Sequence, residues 1–103
     1  MAKRKRDCGM RLGFAWFDRV QWHRLREVAD DRNELDDTFE QWERNALDAI
    51  RAIQRKGQRV EKIHIDVDAF VSWCKSKRLP INSVSRAEYV IFVLRQRDEQ
   101  AKV

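Results

Sequence analysis

DDTFEQWERNALDAIRAIQRKGQRVEKIHIDVDAFVSWC, running from Asp36 to Cys74, decides the fold. It reads as helix, glycine stop, short strand, helix. Phe39, Trp42, Ala46, Ala49, Ile50 and Ile53 recur at three- and four-residue spacing, the signature of one helix face. Glu43, Arg44, Asp48, Arg51 and Arg55 take the opposite face. Asp36 or Asp37 can cap the start, and Asp37 with Glu40 approximates a capping box. Gly57 supplies the left-handed residue that ends many helices, and Arg55 and Lys56 suit the negative end of the dipole. The expected helix, from Asp37 to Lys56, is about 30 Å long.

After Gly57 the period changes. Val60, Ile63 and Ile65 are separated by Glu61, Lys62 and His64, and β-branched residues favour a strand from Arg59 to Ile65. Asp66 then caps a further helix whose inner stripe is Val67, Phe70, Val71 and Cys74, with Trp73 at its edge. A lone strand leaves backbone N–H and C=O groups without partners. The one other segment that clearly alternates is Met10 to Trp16: Met10, Leu12, Phe14 and Trp16 against Arg11, Gly13 and Ala15. The strand therefore pairs with that segment, or with its own copy in a second chain.

Outward from this cassette, Asp18 caps a first helix carrying Trp22, Leu25, Val28 and Ala29, with Phe17 placed as half of a hydrophobic staple. Trp22 and Trp42 sit on helix stripes and read as core; Trp16 and Trp73 read as partly exposed. DDRNEL (Asp30 to Leu35) is a polar loop in an acidic cluster whose plainer reading is capping and solvation. Pro80 closes the third helix, and Ser83 or Ser85 opens a fourth, Ser85 with Glu88 forming a capping box. YVIFVL (Tyr89 to Leu94) is apolar all round; it reads as helix, with a buried strand as the alternative, and leaves Phe92 and Val93 outside the main stripe. The fold class expected is α+β: about four helices with a minimal two-stranded sheet. One domain is expected over residues 10–97, between a basic disordered arm at 1–9 and a frayed tail at 98–103.

Charge is unevenly spread: +4 over residues 1–17, −5 over 18–50 and +6 over 51–103, together the +5 of the whole chain. Basic ends around an acidic middle suit self-association as well as a polyanion. No apolar run reaches the roughly 18 residues of a transmembrane helix, and the basic start lacks a signal-peptide apolar stretch. A cytoplasmic protein is expected. Cys8 and Cys74 make no disulfide framework, and Cys74, on an apolar stripe, reads as a buried thiol.

Chemistry is sparsely signalled. Cys8, His23, His64 and Cys74 are not paired at zinc-ligand spacing. His64, Asp66 and Asp68 cluster at a strand end, but helix capping and the dipole explain both aspartates. No phosphate loop or nucleophile elbow is present, so no catalytic residue, cofactor, metal or small-molecule substrate is assigned. The third and fourth helices could imitate a helix-turn-helix with Ser83, Ser85 and Arg86 at its reading face, though the last helix is too apolar for one. A looser basic patch holds Arg51, Arg55, Lys56, Arg59, Lys62, Lys75, Lys77 and Arg78.

FAWFDRVQWHRL, ELDDTFEQWE and the run from Val60 to Val90, with its DVDAFVSWC junction and RAEYV helix opening, together resemble a widespread family of small uncharacterised bacterial proteins. The resemblance covers Gly13 to Leu94 and implies a bacterial, cytoplasmic, single-domain protein, and it carries over no catalytic residue. The first expectation for function is a non-enzymatic interaction or homo-oligomerisation module. Its candidate interface is Val60, Ile63, Ile65, Trp73, Phe92 and Val93, and its expected partner is a second copy. The alternative is nucleic-acid association through Lys3, Arg4, Lys5 and Arg6 of the arm with Arg55, Lys56, Arg59 and Lys62.

Overall fold

The computed structural model describes residues 11–102. Strand β1 (Arg11–Trp16) is followed by α1 (Arg19–Val28), a short 3-10 turn (Arg32–Glu34) and α2 (Phe39–Arg55). Strand β2 (Arg59–His64), α3 (Val67–Lys77) and α4 (Ser83–Lys102) complete the chain. The fold is α+β and rich in helix, as the periodicity requires.

The strand after Gly57 finds its partner inside the chain. β1 and β2 pair in parallel, with Arg11 opposite Arg59 and Trp16 opposite His64. Parallel strands need a crossover, and α1 with α2 supplies it. One sheet face packs on α2, where Trp16, Ala46 and Ile50 form a cluster joined by Phe14, Trp42, Leu47 and Val60. The other face carries Ala15 and Ile63 into the main core with Val67, Phe70, Cys74 and Val90. Gly13 sets how closely α4 can approach. A Cβ there would stand 2.6 Å from Val90 Cγ1 and 2.7 Å from Leu94 Cδ1. The helix lies on β1 where the strand has no side chain.

Aromatic rings tie the layers together. Trp42 stacks on Trp22 at 5.3 Å between centroids and lies 4.9 Å from Trp16 and 5.5 Å from Phe17. Phe17 meets Trp22 at 6.4 Å, four residues into α1, which completes the hydrophobic staple. Trp16 was expected to be partly exposed, yet it is buried. Two layers close on it: Trp42 from α2, and the Lys62 ammonium, 4.1 Å from the ring centroid.

Several ends follow the sequence. Asp18 accepts from the Gln21 N–H at 2.8 Å and Asp66 from the Ala69 N–H at 3.1 Å. Gly57 ends α2 at φ 89°. Others move by a residue or two. Thr38, not Asp36 or Asp37, caps α2, its hydroxyl accepting from the Gln41 N–H at 3.1 Å. The aspartates are drawn elsewhere: Asp36 accepts from Asn45, and the Asp37 carbonyl accepts from Arg26. At α4 the reciprocal box is Asn82 with Ser85 rather than Ser85 with Glu88. Asn82 Oδ1 accepts from the Val84 and Ser85 N–H groups, and Ser85 Oγ accepts from the Asn82 N–H. α3 ends on Arg78 at φ 59°, two residues before Pro80. Ala49 is exposed on α2, so the inner stripe narrows to Phe39, Trp42, Ala46 and Ile50 with Ile53 half-buried. YVIFVL is helical, and α4 continues to Lys102 through the span read as a frayed tail.

Candidate docking groove along the outer edge of the first strand

Ile65 N–H donates to the Trp16 carbonyl at 3.0 Å. In an extended strand the N–H and C=O of one residue point to the same side, and successive residues alternate. Leu12, Phe14 and Trp16 therefore turn their backbone groups toward β2. Arg11, Gly13 and Ala15 turn theirs outward. Among the described residues the sheet has two strands, so no third strand meets that outward row.

A cavity of about 450 Å³ runs along this edge. Its floor is β1 from Arg11 to Ala15. One wall is an α4 stripe of Ala87, Val90, Ile91 and Leu94. Trp22, Leu25, Leu35 and Trp42 close the rest. Leu12 and Ile91 stand at the rim, 41% and 49% exposed. Among the described residues no carboxylate lines the cavity, and its two arginines are held by partners outside it. Arg11 pairs with Glu61 at 2.9 Å and Asp98 at 3.0 Å. Arg86 forms a two-pronged pair with Asp31, at 2.8 and 3.0 Å, that is largely shielded from solvent.

That pair is half of a latch. The Asp30 N–H donates to the Ile81 carbonyl at 2.7 Å, and the Ile81 N–H donates to the Asp30 carboxylate at 2.8 Å. The acidic loop read as capping and solvation thus holds the turn before α4 through Asp30 and α4 itself through Asp31. The Arg86 guanidinium, donating to both Asp31 oxygens, holds that carboxyl below its usual range.

The expected interface residues scatter. Ile63 and Ile65 are buried in the chain's own core and present nothing to a partner. Val60 is half-buried beneath α2, and Val93 packs against the main core. Trp73 and Phe92 share a half-buried aromatic cluster with Tyr89, 5.2 to 5.9 Å between centroids, on another side of α4. Leu12, Gly13, Ala87 and Ile91 border the groove and lie outside the expected interface. The signal available was the alternation itself: RLGFAW carries one charge in six residues.

Of the cations expected to meet phosphate, Lys3, Arg4, Lys5 and Arg6 lie outside the described residues. Arg55, Lys56, Arg59 and Lys62 are all exposed around the Gly57 turn, Lys62 over Trp16. A helix-turn-helix reading face fails, because Ser85 is buried in the cap and Arg86 is engaged by Asp31. At the strand end, Asp66 caps α3 and Asp68 pairs with Arg24 at 3.0 Å. Burial raises the Cys74 thiol, which disfavours its nucleophilic thiolate. Among the described residues no group of His, Cys, Asp and Glu is gathered to hold a metal ion, and no helix is long and apolar enough to cross a membrane.

Comparison with known proteins returned no matching family model, curated protein or solved structure.

Proposed function

We propose that this chain is a protein-interaction module that takes an extended segment of a partner as a further strand beside β1. It would serve the bacterial cytoplasm in that role. The observation that carries the reading is the coincidence of two features. Outward-facing backbone groups of Gly13 and Ala15 offer main-chain hydrogen bonds, and an apolar groove beside them accepts side chains. Strand addition uses that combination, with affinity from the main chain and selectivity from the pockets. Selection of displayed random peptides on dilute immobilised protein tests it. Apolar extended sequences should be enriched, and Leu12→Lys with Ile91→Lys should abolish the enrichment. No enrichment over the doubly substituted chain would end the reading.

A second reading has its own observation. Arg55, Lys56, Arg59 and Lys62 are four exposed cations within eight residues at one turn. Phosphate contact there would give a mobility shift with nucleic acid that weakens steeply with salt. Absence of a shift at low salt would dismiss it.

A further inference from the structure

Resting on the interaction-module reading, we infer that the strand added to β1 is β1 of a second copy, antiparallel across a two-fold axis, making a four-stranded sheet from two chains. Identical edges are self-complementary in this arrangement. Under the axis, the N–H and C=O groups that Gly13 and Ala15 turn outward meet the same groups of the partner. An antiparallel pair exchanges hydrogen bonds in both directions.

Charge favours the same occupant. RLGFAW holds a single charge, at its first residue. Outward groups meet outward groups when Gly13 pairs with Ala15 of the partner subunit, which centres the axis on Phe14 and sets Arg11 opposite Phe17 of the partner subunit. The two Arg11 residues then stand about 20 Å apart along the ribbon, beyond a physiological Debye length of about 8 Å. The arginines at the groove are already matched by Glu61, Asp98 and Asp31, so pairing strands no cation. A partner rich in acidic residues would find no unengaged charge in the lining.

The apolar rim is accounted for as well. An axis perpendicular to the sheet puts both α4 helices on the same face. Each presents Ala87 and Ile91 to the other. Leu12 and Ile91, two of the four large apolar side chains exposed among the described residues, both border this seam.

Sedimentation equilibrium across a broad concentration range, with residue-resolved amide exchange, tests the inference. The expected mass rises from 12.4 kDa to twice that value. Protection of the Gly13 and Ala15 amides should rise with it, while the Phe14 and Trp16 amides, bonded to β2, stay protected throughout. Leu12→Lys with Ile91→Lys should hold the mass at one chain with an unchanged far-ultraviolet circular dichroism spectrum. Each copy carries +5, so added salt should leave the association intact or strengthen it. A mass of one chain at every concentration would overturn the inference. So would a doubled mass with Gly13 and Ala15 still exchanging freely, since the copies would then meet elsewhere. Enrichment of displayed peptides by a chain that never dimerises would remove the second copy and leave the module standing. Failure of both experiments would remove the module too.

Discussion

The sheet has two outer edges, and they are built differently. The β2 sequence is RVEKIH, and Arg59, Glu61 and Lys62 put charge along it. Charged side chains are a standard way to keep an edge strand from pairing with another chain. Here they also serve neighbours: Glu61 holds Arg11 and Arg97, and Lys62 covers Trp16. The β1 sequence is RLGFAW, with an apolar groove where β2 has charge. Among the described residues one edge is guarded and the other is open. In a sheet this small that asymmetry is the feature closest to a function.

Gly13 and Glu61 are partners in register, which makes the largest contrast a direct one. Gly13→Val drives a side chain into Val90 and Leu94 and should cost about 3 kcal/mol through overpacking. Glu61→Val, at the matching place on β2, loses only partly exposed ion pairs and should cost less than about 1 kcal/mol. Denaturant unfolding of the two variants measures both. Equal losses would mean that α4 does not rest on β1 as described.

Next comes the latch that fixes the loop and α4 around the groove. Asp31→Asn breaks a shielded charge pair and should cost about 2 kcal/mol near neutral pH. The Asp31 carboxyl is held below its usual range by Arg86. Its contribution is therefore complete above the ordinary aspartate range and lost as pH falls through the depressed value. The gap between wild type and Asp31→Asn should close on acidification through that window. A gap that persists in strong acid would show that the pair contributes by shape rather than charge.

The smallest effect concerns the guarded edge. Lys62→Leu removes the ammonium over Trp16, which should cost about 0.5–1 kcal/mol. It also takes one charge off β2. Light scattering should show association through a second surface that Leu12→Lys with Ile91→Lys does not suppress. If those substitutions suppress it, β2 is not an edge that charge protects.

Much of this architecture was legible. Alternation located both strands, three- and four-residue spacing located the helices, and Asp18, Gly57 and Asp66 marked real ends. The requirement for backbone partners led from the lone strand to Met10–Trp16. What could not be read depended on contacts between distant residues. Asp37 is as good a cap as Thr38 until Arg26 takes its carbonyl and Asn45 reaches Asp36. Arg86 reads as a surface cation until Asp31, 55 positions earlier, engages it. Ile63 and Ile65 read as interface until α3 and α4 cover them. The groove itself exists because a helix that begins at Ser83 comes down on Gly13, a meeting with no local pattern.

The most direct measurement is amide exchange along β1 in the dilute chain carrying Leu12→Lys and Ile91→Lys, where no partner strand can form. The expected result is alternation: protection at Phe14 and Trp16, and fast exchange at Gly13 and Ala15. Uniform protection from Arg11 to Trp16 would mean that the edge is already filled from within the chain, and the open-edge account would be wrong.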